Sequence, residues 1–118
     1  MKINALCSLI VSLLLISCEK TETPSFLHIE SVALEVTPDF AQGTNDHGIS
    51  DAWVYLNDQL VGIYEVPATV PIIASGKQQI TVIAGIKKNG IQSARITYPF
   101  YDQYNAELTL IPGDSIDF

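Results

Sequence analysis

The pattern of apolar residues between Phe26 and Phe118 constrains the fold of this chain most strongly. No stretch there keeps a 3.6-residue apolar period through three helical turns. Short runs rich in Val, Ile and Thr are instead punctuated by Gly, Pro, Asn and Asp. The first pattern is typical of amphipathic helices, and the second is typical of strands joined by turns. The chain is therefore predicted to be all-β.

The runs predict about seven strands. They cover residues 29–36, 52–56, 60–66, 78–86, 91–100 and 105–111, with a short piece at 68–70 and a last start at 115–118. Pro67 and Pro71 remove backbone donors, so residues 68–70 are predicted to be an edge strand or a crossing loop. Tight turns are expected at residues 57–59 and at Asn89-Gly90, because Asn and Gly tolerate positive φ angles.

Seven short strands at this spacing favour a small immunoglobulin-like antiparallel β-sandwich over residues 27–118. Trp53 is predicted to lie in the centre of its core. The chain stops soon after a turn at residues 112–114, on a β-branched and aromatic start. We therefore expect that the domain continues in a C-terminal region beyond Phe118.

The first 17 residues are predicted to be a signal peptide helix outside the fold. Met1 and Lys2 give a positive start, and residues 5–16 form a run of twelve uncharged, mostly apolar residues. A membrane-spanning helix needs about 20 apolar residues. A run of this length instead suits the apolar core of a secretory signal, which takes about 7–15 residues.

The sequence Leu15-Ile16-Ser17-Cys18 follows this run. It resembles the lipobox of bacterial lipoproteins, which has an aliphatic residue three positions before the Cys and a small residue just before it. The resemblance implies a diacylglyceryl group on the Cys18 sulfur, cleavage between Ser17 and Cys18, and acylation of the new amino group. Since one acyl chain binds membranes only marginally, the two or three chains would together form a stable anchor.

The residues after Cys18 are polar and contain Pro24. Residues 18–26 are therefore predicted to be a lipidated Cys followed by a tether. Glu19 and Glu22 resemble the surface-export signals of Bacteroidota lipoproteins. The expected location is the outer membrane, facing either the periplasm or the cell surface.

A second resemblance covers about a third of the chain and rests on turn chemistry. The matching segments are WVYLNDQLVG (53–62), PATVP (67–71), ASGKQQITVIAG (74–85) and KNG (88–90). They resemble a PEGA-like or carboxypeptidase-regulatory-like module, although Ala74-Ser75-Gly76-Lys77 stands where that family has Pro-Glu-Gly-Ala. The resemblance implies a small sandwich that binds, spaces or presents other parts of the envelope. It carries over no catalytic residue.

Charge and cysteine content exclude several classes of function. The chain contains six Lys and Arg residues and 13 Asp and Glu residues, so its formal charge is −7. So few cations cannot form the basic patch that nucleic acid requires. Two Cys cannot make a disulfide framework or a four-ligand zinc site. No G-x-S-x-G motif occurs. We expect no cofactor and no enzymatic activity, although spacing alone leaves a carboxylate pair for glycoside cleavage open.

One polar loop offers a possible metal site. Asn45, Asp46, His47 and Asp51 place three oxygen donors and an imidazole within seven residues. Calcium takes six to eight oxygens, so the loop supplies only about half of a site. A plain polar loop with turn-forming Asn and Asp is the favoured interpretation.

An aromatic cluster is the other candidate site. It consists of Tyr98, Phe100, Tyr101 and Tyr104. Strand alternation favours a core role, with Tyr98 and Phe100 on one buried face and Tyr101 and Tyr104 at a corner. Exposed rings would instead stack on a sugar or on a partner protein.

The sequence therefore predicts a lipid-anchored, non-enzymatic β-sandwich that binds or positions an envelope protein or a glycan. The alternative is a carbohydrate-binding accessory domain of a larger glycan-handling surface lipoprotein, with the aromatic cluster as its platform. A hydrolase that uses His47 and Asp51 is a third hypothesis.

Overall fold

The computed structural model describes residues 21–36 and 48–118, and this part of the chain forms eight strands and one 3-10 turn at Lys88–Gly90. The strands are β1 (Ser25–Ile29), β2 (Ile49–Leu56), β3 (Gln59–Glu65), β4 (Ala68–Ile72), β5 (Gly76–Lys87), β6 (Arg95–Thr97), β7 (Tyr104–Leu110) and β8 (Ser115–Asp117). Within the described ranges, no helix has the length and hydropathy needed to cross a membrane. The predicted signal peptide lies outside these ranges.

The strands form two packed sheets. The small sheet has the order β4-β1-β8, and the large sheet has the order β3-β2-β5 with β6 and β7 both paired to β5. The prediction of an all-β sandwich is confirmed, with eight strands in place of about seven. The prediction of a purely antiparallel fold is wrong at one pair, because β8 runs parallel to β1. The turn after β7 takes the chain across to the small sheet, where β1 and β8 start from the same end.

The core lies between the inward faces of the two sheets. Burial alternates along β1, where every second residue from Ser25 to Ile29 is buried. This two-residue period is what a strand with one covered face requires. The buried apolar side chains that meet here are Leu27, Ile29, Val70 and Ile72 from the small sheet and Ala52, Val54, Ile80, Val82 and Leu110 from the large sheet.

Trp53 lies on the outer face of the large sheet, so the prediction that it occupies the centre of the core is wrong. Its neighbours Ala52 and Val54 are fully buried and point inward. Alternation then sends Trp53 outward, where it is only partly buried. The indole lies over Gly85, whose missing side chain makes room for it: a Cβ at Gly85 would lie 2.6 Å from the indole Nε1.

The first predicted strand, residues 29–36, is also wrong. The strand is β1 (Ser25–Ile29), so Ser25 and Phe26 of the predicted tether already belong to the sheet. Residues 31–36 form no ladder within the described chain. They nevertheless alternate, with Val32, Leu34 and Val36 partly buried and the residues between them exposed. The apolar alternation was therefore a signal of partial burial and not of strand pairing.

The predicted turns are partly confirmed. Asn57 and Asp58 both adopt positive φ angles, 47° and 67°, and join β2 to β3. The expected tight hairpin at Asn89-Gly90 is a 3-10 turn, from which residues 91–94 lead to β6. The predicted strand 91–100 therefore shrinks to Arg95–Thr97.

The Pro-bracketed piece is confirmed as an edge strand. It is β4 (Ala68–Ile72), which forms one edge of the small sheet. Pro71 lies opposite Phe26 in the pairing with β1. An edge strand tolerates this Pro because only one of its sides pairs with a neighbour.

The two ends of the sandwich carry different segments. We call the end at which Pro24 enters the base. There the Pro24 carbonyl accepts a hydrogen bond of 2.9 Å from the Gly113 amide. β5 begins at the base with Gly76, opposite Leu110 at the end of β7. We call the opposite end, where β1 and β5 finish, the tip.

Candidate functional site

Three residues of the aromatic cluster lie on a loop that interrupts an edge strand, and the fourth, Tyr104, begins the next strand. β2 occupies one edge of β5, so β6 and β7 must share the other edge. Thr97 pairs with Gly85 and Tyr104 pairs with Val82. Six residues therefore intervene on this side where β5 has only two, and the excess must leave the sheet. We call residues 98–103 the aromatic loop.

Two backbone hydrogen bonds shape this loop. The Tyr98 amide donates to the Ala84 carbonyl at 3.2 Å, which holds the start of the loop against β5. The Tyr101 amide then donates to the Tyr98 carbonyl at 3.3 Å and closes a turn. This turn brings the rings of residues 98, 100 and 101 together.

The rings form two groups. The Tyr98 ring lies 5.4 Å from Phe100 in an edge-to-face arrangement and 4.6 Å from Tyr101 in a tilted one, measured between centroids. Tyr104 contacts Phe118 edge to face at 5.3 Å. These separations are those of favourable aromatic pairs.

Exposure decides between the two interpretations of this cluster. Phe100 is 82% exposed and Tyr104 is 64% exposed, whereas Tyr98 and Tyr101 are partly buried. The prediction that Tyr98 and Phe100 share a buried face is wrong, because strand alternation does not apply to a loop that has left the sheet. The Phe100 and Tyr104 rings are available for contact with a ligand.

A cleft of about 920 Å³, which we call the aromatic cleft, lies beside the aromatic loop. Residues 31–36 form another wall, and the floor consists of core side chains that include Ile29, Val82 and Ala84. Phe118 also lines it. Residues 31–36 and Phe118 are distant in the sequence from the loop, so the sequence cluster alone could not reveal the cleft.

The polar part of the cleft is acidic. Glu35 and Asp102 line it, and both are exposed. Gln103 and Ser31 add neutral polar groups. No Lys or Arg of the described chain lines the cleft. The surface therefore combines aromatic rings, carboxylates and neutral hydrogen-bonding groups.

A charge network fastens the strand that leads into the aromatic loop. The Arg95 guanidinium on β6 donates to the Asp51 carboxylate on β2 and, at 3.1 Å, to Glu65 on β3. The Lys87 ammonium donates to Glu65 at 3.3 Å. Hydrogen bonds from Arg95 and then from Lys87 hold the pKa of the Glu65 carboxyl below its usual range. Sequence reasoning missed this network, because its members approach one another only through sheet register.

The residues of the predicted metal site are only partly described. Asn45, Asp46 and His47 lie outside the described residues, so their grouping with Asp51 stays a prediction. Asp51 is fully buried, and its two carboxylate oxygens accept hydrogen bonds from Arg95 and from Ser50. In the ranges 21–36 and 48–118, no three His, Cys, Asp or Glu side chains are arranged to hold a metal ion.

His28 has partners on the outer face of the small sheet. Its Nδ1 lies 3.2 Å from the Thr69 hydroxyl, and its Nε2 lies 3.3 Å from a Glu30 carboxylate oxygen. Thr69 and Glu30 are exposed. This hydroxyl, imidazole and carboxylate lie on an open face of the sheet and not in the cleft. Small-molecule sites are usually concave, so this group lacks the enclosure that a substrate site provides.

The predicted lipidation and cleavage residues, Ser17 and Cys18, lie outside the described residues. The described chain begins at Thr21, close to the base of the sandwich: the Thr23 methyl lies 3.9 Å from where a Cβ of Gly113 would be.

No protein-family model matches the chain, and comparison with curated proteins and with solved structures gave no significant match.

Proposed function

We propose that this protein is a lipid-anchored, non-catalytic binding module of the bacterial cell envelope, held in the outer membrane through Cys18. The aromatic cleft is its binding face. The observation that carries the proposal is the placement of the cleft: its lining includes Ile29 and residues 31–36 at the tip, whereas the chain enters from Pro24 at the base. The partner is an envelope protein or a glycan.

Chain length supports this arrangement. Ser25, the first residue of β1, lies seven residue steps after Cys18, and an extended chain of seven steps spans at most about 25 Å. Along β5, the eight residue steps from Gly76 at the base to Ala84 in the cleft add about 26 Å. An anchored sandwich would thus keep its base near the lipid and present the cleft well away from it.

The anchor itself is tested by lipid labelling in cells. The full-length protein, Cys18→Ala and Cys7→Ala are expressed in a Gram-negative host that is fed a clickable palmitate analogue. Cys7→Ala is the matched control, because Cys7 lies inside the apolar run of the signal. We expect label in the wild type and in Cys7→Ala and none in Cys18→Ala. An unlabelled wild type, or a labelled Cys18→Ala, would refute the anchor.

Carbohydrate binding is the second candidate function, and the exposure of Phe100 and Tyr104 favours it. Flat exposed rings can stack on the apolar face of a sugar, while Asp102 and Gln103 can bond to its hydroxyl groups. Isothermal titration with neutral hexasaccharides tests this candidate. Binding that Phe100→Ala and Tyr104→Ala both weaken would support it, and no heat with any of them would oppose it.

A further inference from the structure

We infer that the ligand of the aromatic cleft is a Lys- or Arg-rich segment of a partner protein. This inference rests on the proposed binding role of the cleft but not on the lipid anchor. The inference depends on one juxtaposition: exposed aromatic rings and carboxylates without an ion-pair partner line the same cleft. Among the described residues, no Lys or Arg lines that cleft.

The rings provide the first part of the recognition. Phe100 and Tyr104 present most of their surface to solvent, and Tyr98 and Tyr101 are partly exposed beside them. The negative face of an aromatic ring attracts an ammonium or guanidinium group within about 6 Å of its centroid. Two ring groups in one cleft can therefore receive more than one cationic side chain.

The carboxylates provide the second part. Glu35 belongs to residues 31–36 and Asp102 belongs to the aromatic loop, so two separate walls of the cleft each contribute a negative charge. Neither carboxylate has an ion-pair partner among the described residues. A Lys or Arg side chain would bond directly to them, whereas an anionic ligand would be repelled.

The basic residues of the described chain all lie outside the cleft. Lys77 pairs with Glu107 at the base, and Lys87 and Arg95 pair with Glu65 on the outer face of the large sheet. Lys88, in the 3-10 turn, does not line the cleft. No cation in this part of the chain is therefore placed to compete with the cationic ligand for Glu35 and Asp102.

The overall charge and the size of the cleft agree with this ligand. A chain of formal charge −7 attracts cationic partners over long range and raises their rate of encounter. The volume of about 920 Å³ lies near the upper end of the usual range for ligand pockets, about 300–1,000 Å³. It offers room for several side chains of one extended segment.

The test uses the full-length protein in a neutral detergent and a matched pair of peptides. One peptide is (Lys-Gly)5, and the other is the same peptide with every Lys acetylated, which removes the charge but keeps the length. Binding is measured by isothermal titration at low and at physiological salt. We expect binding of the charged peptide, weaker binding at higher salt, and at least ten-fold weaker binding of the acetylated peptide.

Three double variants place the interaction in the cleft. Phe100→Leu with Tyr104→Leu keeps apolar surface but removes the rings, and we expect binding about two- to five-fold weaker for each ring. Glu35→Gln with Asp102→Asn removes two cleft charges, and we expect weaker binding with a smaller salt dependence. Asp58→Asn with Asp114→Asn removes the same charge far from the cleft, and we expect less than a two-fold change.

Equal weakening by the cleft and control charge variants would overturn the inference, because it would show attraction to net charge alone. Equal binding of the two peptides would also overturn it. Binding of a neutral hexasaccharide that depends on Phe100, without peptide binding, would refute the cationic ligand and leave the proposed binding function standing. No cleft-dependent binding of either probe would contradict both.

Discussion

The Arg95 guanidinium on β6 pairs with the fully buried carboxylate of Asp51 on β2, across the intervening strand β5. On β5, Gly85 lies opposite both Asp51 of β2 and Thr97 of β6, and it places no side chain on the outer face beside Asp51. The pair ties the strand that begins the aromatic loop to the middle of the large sheet. This contact makes the position of the candidate site depend on a charge pair on the outer face.

Removing Arg95 should therefore destabilise the fold. In Arg95→Ala, Asp51 becomes a buried charge whose cationic partner is lost, and we expect a loss of about 3 kcal/mol in the free energy of unfolding, because Arg95 is itself partly exposed. Urea unfolding followed by Trp53 fluorescence measures it. Lys88→Ala, in an exposed turn, is the matched control, and we expect a change within about 0.5 kcal/mol. Equal stability of the two variants would contradict the role of the pair.

Glu65 should contribute a pH-dependent part of the stability. Hydrogen bonds from Arg95 and Lys87 lower the pKa of Glu65 in the folded state from its ordinary value of 4.5. A group with a depressed folded pKa stabilises the fold above the unfolded pKa, and this contribution is lost as pH falls through the folded pKa. The advantage of wild type over Glu65→Gln in urea midpoint should be present at pH 7 and shrink below about pH 4.5. A difference that stays constant from pH 7 to pH 3 would contradict this assignment.

A methyl group at Gly85 should disturb the outer face. In Gly85→Ala the new Cβ would lie 2.6 Å from the Trp53 indole nitrogen and 3.1 Å from the Asp51 Cβ. Such overpacking costs about 1–3 kcal/mol. Thermal unfolding measures the loss, and the emission maximum of Trp53, the only Trp, should also shift. Gly48→Ala, where no atom lies within 4 Å of the added Cβ, should behave as wild type.

Replacing Phe100 should leave the stability nearly unchanged. Phe100 is 82% exposed, so Phe100→Ala removes little buried surface, and we expect a change within about 0.5 kcal/mol in urea unfolding. Leu27→Ala provides the contrast, because Leu27 is 1% exposed in the core and its truncation should cost about 2–5 kcal/mol. A loss above about 2 kcal/mol for Phe100→Ala would show that the ring is packed, and it would contradict the assignment of Phe100 as an exposed ring of the binding cleft.

Several strands were predictable because their signals are local. Residues 52–56, 60–66, 78–86 and 105–111 combine apolar or β-branched runs with nearby turn residues, and each lies within or close to an observed strand. The turn at Asn57 and Asp58 followed from the same chemistry, since both residues take positive φ angles. Residues 29–36 and 91–100 were mispredicted, because their apolar residues did not show whether a neighbouring backbone lay within pairing distance.

The sequence by itself determined the all-β class, the acidic character and the aromatic cluster at residues 98–104, because composition, alternation and turn chemistry are properties of neighbouring residues. Only the tertiary structure decided that Phe100 faces solvent, that Trp53 lies outside the core, and that Asp51 meets Arg95. These outcomes depend on sheet register and on the excess residues opposite β5, which bring together positions far apart in the chain. Local patterns carry no information about those distances, so the cleft and its charges appear only in the folded molecule.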